Sequence, residues 1–177
     1  MNLNKVKKKI LKILKSKNKK KLVCLTAYSK PIAKILDKYC DIILVGDSVG
    51  TAMYGMKNTH HVSMDMMIRH GVSVRSNVKE SLCVVDMPKN SYKNEQQAKK
   101  NAKLIFTQTK CDAVKIECNG NNYGIIKSIV DSGIPVMGHI GFTPQHYKKF
   151  KLKGVTEKDQ NNLIDQAKKK WRCRSLQ

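Results

Sequence analysis

The chain has few of the residues that mark secreted, membrane-bound or single-strand-binding proteins. Its 177 residues include one Trp and 6% aromatic residues, which is little for the stacking surfaces of single-strand binders. No segment reaches the roughly 20 apolar residues of a membrane-spanning helix. At the N-terminus lysines interrupt every apolar run, so this segment does not resemble a secretory signal. We therefore expect no membrane partner.

The cysteines also lack the spacing of a known redox or metal motif. They form no C-x-x-C pair and no paired ligand spacing, and several lie in apolar runs where a free thiol packs as a small apolar side chain. This pattern predicts free thiols in a reduced, cytoplasmic setting. The six are Cys24, Cys40, Cys83, Cys111, Cys118 and Cys173.

Acidic residues are scarce, at 13 against 35 basic ones, and the formal net charge is +22. Only four of the basic residues are Arg, the side chain that gives bidentate contacts to guanine and phosphate. The lysines are spread over nearly every segment, as expected from compositional drift with the charges on solvated faces. We therefore expect no specific nucleic-acid partner, and a basic nucleic-acid-binding module is the less favoured alternative.

Residues 1–21 are predicted to form a basic N-terminal helix and hinge. Within residues 4–16, Val6, Ile10, Ile13 and Leu14 share one helical face, with lysines opposite. Such a helix can lie on a membrane surface. We favour a helix that covers one end of a domain spanning residues 22–170.

A regular alternation of apolar runs and amphipathic segments follows. Strands apolar on both faces, separated by helices, are typical of parallel βα units. The predicted strands are 22–26, 41–46, 81–86, 112–117 and 134–138. The predicted helices are 30–39, 64–75, 94–109, 122–131 and 157–170.

Polar side chains stand where the later strands end. In (βα)8 barrels, functional groups project from the carboxyl ends of several strands into one mouth. A Rossmann-type sheet would instead carry a Gly-rich loop after its first strand, and "TAYSKP" contains none. We predict an α/β fold of the (βα)8 TIM-barrel class, incomplete here, with about five of the eight βα units. The strand-end residues are Asp47, Ser48, Asp86, Lys115, Glu117 and His139.

Three of these residues predict a metal site. Asp47, Asp86 and Glu117 would repel one another at one mouth unless a cation lay among them, and oxygen ligands favour Mg²⁺ over zinc. Lys115 lies two residues before Glu117 and so shares its face of the strand. A purely structural Lys115–Glu117 ion pair is the alternative.

Several motifs together resemble the ketopantoate hydroxymethyltransferase family. They are "LTAYSKPIAKILD", "DIILVGDSVG", "VDMP" followed by "SY", "DAVKIE" and "GIPVMGHIGFTPQ". The resemblance runs from about Leu22 to Gln145 and continues weakly to about Lys170.

The resemblance implies a (βα)8 barrel that transfers a hydroxymethyl group from 5,10-methylenetetrahydrofolate to 3-methyl-2-oxobutanoate, in pantothenate and coenzyme A biosynthesis. It implies a Mg²⁺ cofactor held by Asp47, Asp86 and Glu117. It implies keto-acid binding by Asp47, Ser48, Asp86 and Lys115, with His139 as a further pocket residue. It also implies a homo-oligomer, since the family forms decamers.

The chain departs from the family pattern in two places. Residues 171–177, "WRCRSLQ", change composition abruptly, and the family barrel continues into a sixth strand beyond them. We interpret this as a C-terminal truncation with an aberrant tail. The family's general base, a glutamate after that strand, then has no counterpart, so an inactive remnant is the alternative to an active enzyme. In "DMPKNSY", Lys89 and Asn90 replace an aromatic–glycine pair.

The dispersed lysine charge generates a first prediction. Binding to DNA should be indifferent to sequence and should weaken steeply with salt, because it arises from counterion release. Competition between unrelated duplexes at several salt concentrations measures this. A strong preference for one duplex would contradict it.

Overall fold

The computed structural model describes residues 3–118, 122–147 and 152–172. The strands are β1 (Cys24–Thr26), β2 (Ile42–Val45), β3 (Leu82–Asp86), β4 (Ala113–Glu117) and β5 (Val136–His139). The helices are α1 (Leu3–Lys15), α2 (Lys30–Leu36), α3 (Val49–Tyr54), α4 (Met64–Arg75), α5 (Glu95–Thr109), α6 (Tyr123–Asp131) and α7 (Glu157–Arg172), with a 3₁₀ turn at Thr59–His61.

The five strands form one parallel sheet in the order β1-β2-β3-β4-β5. A doubly wound sheet would reverse its strand order at a switch point, whereas a singly wound βα series runs in sequence, as in a barrel. The predicted fold class is confirmed as a partial α/β barrel. Each predicted strand and helix is present, the helix at 64–75 with the predicted bounds and the others with shifted ends. The helix α3 and the 3₁₀ turn are additions that the sequence did not predict.

The main core lies between the sheet and its flanking helices. Ile43, Val45, Val85 and Val114 are fully buried on the strands, where β-branched side chains pack well on the pleated surface. Met67 of α4 and Ala98, Ala102 and Ile105 of α5 belong to the same buried cluster. This core fixes the strands whose carboxyl ends carry the polar residues.

A second, smaller cluster forms on the other face of the sheet, from side chains that alternate along the strands with those of the main core. Ile42, Leu82 and Ala113 stand at the beginnings of their strands, and Ile10 and Ile13 of α1 pack against this cluster. The apolar face of α1 is thus used inside the fold, as expected for a helix that covers one end of the domain. In the part of the chain that the structure describes, we find no helix with the length and apolar character needed to cross a membrane.

A buried carboxylate fastens α1 to the sheet. Lys9 Nζ donates to the Ser81 carbonyl at 2.7 Å and lies 3.3 Å from Asp112 Oδ2. The same oxygen accepts the Cys83 backbone N–H at 2.9 Å. Within the described residues, Cys24, Cys40, Cys83, Cys111 and Cys118 are free thiols, and the sixth cysteine lies outside them.

Asp37, directly after α2, secures the segment that leads into β3. Its carboxylate accepts backbone N–H groups from Lys79 at 2.8 Å, Ser81 at 2.9 Å and Glu80 at 3.1 Å. Burial alone would raise the pKa of Asp37, but these hydrogen bonds outweigh it and hold the pKa below its ordinary value of 3.8.

We predict that Asp37→Ala lowers the free energy of unfolding by about 1–3 kcal/mol, because it leaves buried N–H groups without an acceptor. Urea unfolding at pH 7 measures this loss. Asp65→Ala, which removes an exposed ion pair with Arg69, is the control and should cost less than about 1 kcal/mol.

The difference between wild type and Asp37→Ala should persist at neutral pH and shrink as the pH falls through the pKa of Asp37, below 3.8. A carboxylate with a depressed pKa stabilises the fold only while it is ionised. A constant difference down to pH 2 would contradict this assignment.

Candidate active site at the carboxyl ends of the strands

Asp47 and Asp86 lie side by side at the ends of β2 and β3. Their exposed fractions are 5% and 2%, and the Asp47 backbone N–H donates to Asp86 Oδ2 at 3.0 Å. Gly46 leaves room for the Ser48 hydroxyl, since a Cβ there would lie 2.8 Å from Ser48 Oγ. The parallel pairing of β2 with β3 therefore brings two acids that are 39 residues apart in sequence into contact.

Lys115 forms its ion pair with Asp86, at 2.6 Å from Oδ1. The alternative of a structural Lys115–Glu117 pair is therefore wrong, because register pairs Lys115 directly with Asp86 across β3 and β4. Burial lowers the pKa of Lys115, but the negative charges of Asp86 and Asp47 outweigh this and raise the pKa overall. Lys115 is thus a buried, protonated cation.

Glu117 ends β4 and is only 1% exposed. Its Oε2 accepts the Gln145 backbone N–H at 3.0 Å, and Oε1 lies 3.6 Å from His139 Nδ1. His139 Nδ1 is buried and makes no hydrogen bond within the part of the chain that the structure describes. Protonation of His139 would create an ion pair with Glu117.

Gln145 joins these groups, and sequence reasoning did not select it. Its Nε2 donates to Asp47 Oδ2 at 2.8 Å and to the Met87 carbonyl at 3.1 Å. Its Oε1 accepts the hydroxyl of Tyr92, another residue that was missed. The signal was available, because Gln145 ends the "GHIGFTPQ" motif. Through its side chain and its backbone N–H together, Gln145 thus connects the ends of β2, β3 and β4.

Ser48 lies directly after Asp47, at the beginning of α3. Its Oγ is 2.7 Å from the Tyr28 hydroxyl, and either group can donate. The Tyr28 carbonyl in turn lies 2.6 Å from His70 Nδ1. Tyr28 therefore sets the direction of the Ser48 hydroxyl. The structure brings all six predicted residues to one edge of the sheet.

The surroundings at this edge disfavour the ionised form of Asp47 and raise its pKa. Burial and then the neighbouring charge of Asp86 raise the pKa of Asp47 to about 6, although the hydrogen bond from Gln145 and the charge of Lys115 lower it in part. Two neighbouring buried carboxylates favour one negative charge rather than two. A bound cation would relieve this repulsion.

The donor chemistry fits a hard divalent ion, since Asp47, Asp86 and Glu117 offer only oxygen. Within the described residues, however, no three His, Cys, Asp or Glu side chains are grouped closely enough to hold a metal. Gln145 forms hydrogen bonds with both Asp47 and Glu117, and Lys115 forms an ion pair with Asp86. The metal site formed by these three acids stays a prediction, and metal binding there would require Gln145 and Lys115 to give up their present contacts.

Comparison with known proteins gives one consistent result. The family profile described as ketopantoate hydroxymethyltransferase matches residues 7–172. A 3-methyl-2-oxobutanoate hydroxymethyltransferase of Pelagibacter ubique is 49% identical over 161 residues, which are 91% of this chain and 63% of that protein. One from Anaplasma marginale is 46% identical, over 90% of this chain and 58% of that protein. The chain thus spans about 60% of the length of these relatives.

Among solved structures, a phosphonopyruvate hydrolase in complex with oxalate and Mg²⁺ is similar with a TM-score of 0.67 and 11% sequence identity. The match covers 98% of this chain and 60% of that structure. At this identity the likeness concerns the fold, and it agrees with the partial barrel described above.

The raised pKa of Asp47 generates a stability prediction. A carboxylate whose pKa rises on folding destabilises the fold progressively as the pH climbs from 3.8 through about 6. We expect Asp47→Asn, which keeps an acceptor for Gln145, to raise the free energy of unfolding by about 1–3 kcal/mol at pH 8. The gain should vanish near pH 4.

Urea unfolding across this pH range measures the effect. Glu80→Gln, which neutralises an exposed acid, is the control and should show no comparable pH-dependent gain. An Asp47→Asn protein that is less stable than wild type at pH 8 would contradict the repulsion between Asp47 and Asp86.

Proposed function

The chain belongs to the ketopantoate hydroxymethyltransferase family, and on that premise we propose that it takes part in forming 2-dehydropantoate. The proposed reaction transfers a hydroxymethyl group from 5,10-methylenetetrahydrofolate to 3-methyl-2-oxobutanoate, a step of pantothenate biosynthesis. The observation that carries the proposal is the buried group of Asp47, Asp86 and Lys115, on three adjacent strand ends, within a family match that covers most of the chain.

The keto acid offers a carboxylate and a ketone oxygen, and the site offers groups for both. Lys115 is a buried ammonium whose positive charge would stabilise negative charge on the ketone oxygen as the adjacent carbon loses its proton. A Mg²⁺ ion held by Asp47, Asp86 and Glu117 would supply Lewis acidity at the same oxygen.

Ser48 is proposed to orient the substrate carboxylate. When the Tyr28 hydroxyl donates to Ser48 Oγ, the Ser48 proton is free to point at a ligand. His139 borders the same edge beside Glu117. Burial around Asp47 and Glu117 keeps water away from these contacts and strengthens them.

The remaining steps of the proposed reaction draw on the family. No residue of this chain is assigned as general base. A protein that binds the ligands without turnover is the alternative. We also propose a homo-oligomer and a reducing cytoplasmic setting, the latter in keeping with the free thiols.

Binding is the sharpest test for a polypeptide of this length. We expect calorimetry to detect Mg²⁺ or Mn²⁺ binding that Asp47→Ala combined with Asp86→Ala abolishes. We further expect 3-methyl-2-oxobutanoate to bind in the presence of Mg²⁺, and Lys115→Met to weaken that binding about 10–100-fold, as for loss of a hydrogen bond to a charged group.

Glu80→Gln again serves as the control and should leave both affinities unchanged. Unchanged metal affinity in the Asp47, Asp86 double variant would overturn the site. Ketopantoate formation, assayed with methylenetetrahydrofolate, separates an enzyme from a remnant that only binds.

A further inference from the structure

A cavity of about 340 Å³ adjoins the site, and Gln145 lines it. Gln145 also donates to Asp47, so the cavity and the acidic edge share one residue. Among the described residues, the lining contains two lysines and a histidine but no acidic residue. The lining residues are Lys89, Asn90, Tyr92, Lys93, Asn122, Ile125, Gln145 and His146.

A tight turn presents Lys89 to this cavity. The Ser91 backbone N–H and its hydroxyl both donate to the Pro88 carbonyl, at 3.1 and 2.6 Å. Asn90 adopts a φ of 68°, as the third residue of a type II turn does. Asn and Asp tolerate this left-handed conformation better than most other residues except glycine, so Asn90 suits the turn that presents Lys89.

Lys89 has no counterion in the part of the chain that the structure describes. It is half-buried and forms no ion pair with any described acid, in contrast to Lys9, Lys20, Lys115 and Lys127. Lys93 lies nearby on the exposed side of the cavity, and its side chain is likewise without a described acidic partner. A partly desolvated ammonium without a counterion favours an anionic ligand.

The rest of the wall suits a small organic anion. Asn90 carries an exposed amide group that can donate to carboxylate oxygens, whereas the Asn122 amide already donates to the Glu117 carbonyl at 2.7 Å. Burial lowers the pKa of His146, so this imidazole is neutral at pH 7. Ile125 gives one apolar surface, which methylene groups can contact.

We propose that this cavity is a binding site for a small dicarboxylate of the glutamyl type, with Lys89 and Lys93 pairing its charges. The group can be the glutamyl end of a folate, a source that rests on the proposed function, or a free dicarboxylate.

Calorimetry with N-(4-aminobenzoyl)-L-glutamate, glutarate and butyrate tests the site on the full chain. We expect both dicarboxylates to bind and butyrate to bind at least several-fold more weakly. Lys89→Gln combined with Lys93→Gln should weaken dicarboxylate binding about tenfold or more. Each single variant should lose part of the affinity, which guards against misfolding of the double variant.

The net charge of +22 demands a matched control. Lys99→Gln combined with Lys103→Gln removes two exposed lysines from α5 outside the cavity and should leave the affinity unchanged. An equal loss in this control, or no dicarboxylate binding at millimolar concentration, would overturn the proposal.

The two dicarboxylates separate the sources of the ligand. Tighter binding of the aminobenzoyl compound assigns the site to a folate, and equal binding assigns it to free dicarboxylates. Mg²⁺ titration of the Lys89, Lys93 double variant keeps this proposal apart from the proposed function, since metal binding by Asp47 and Asp86 should persist whether or not the dicarboxylate site exists.

Discussion

Two buried carboxylates that lie near each other, on Asp47 and Asp86, impose the constraint on which the rest of the site depends. Lys115 neutralises Asp86 from the neighbouring strand, and the Asp47 backbone N–H and the Gln145 amide supply hydrogen bonds. Burial and the charge of Asp86 nevertheless raise the pKa of Asp47 to about 6. A cation bound at this edge would relieve the repulsion between the two carboxylates.

One end of the sheet carries contacts that stabilise the fold, and the other end carries the candidate active site. At the beginnings of the strands, α1 packs on Ile42, Leu82 and Ala113, and Lys9 joins Asp112. At the other end, polar side chains replace apolar ones, and one amide from a loop near residue 145 bridges them. This division is the usual one in (βα)8 barrels, where the carboxyl ends of the strands carry function.

The proposed dicarboxylate site extends this arrangement outward from the acidic edge. Gln145 contacts the acidic edge and also lines a cavity whose charged side chains, among the described residues, are lysines. A cation with its keto acid would then bind at the acidic edge, and ligand carboxylates would bind beside the lysines of the cavity. The charge of each region would thus decide which end of the ligands it binds. Such electrostatic complementarity gives orientation more than raw affinity.

The sequence by itself determined the βα order, the strand-end residues Asp47, Ser48, Asp86, Lys115, Glu117 and His139, and the family, because parallel strands leave runs apolar on both faces and the motifs stand at their ends. Only the tertiary structure decided the partners. The register between β3 and β4 places Lys115 opposite Asp86, so that Lys115 forms its ion pair with Asp86 rather than with Glu117. The fold of the chain brings Gln145 into contact with Asp47, from which it is separated by 98 residues in sequence. Sequence spacing reports which face of a strand a residue occupies, whereas pairing depends on the neighbouring strand and on loops whose paths no local pattern encodes.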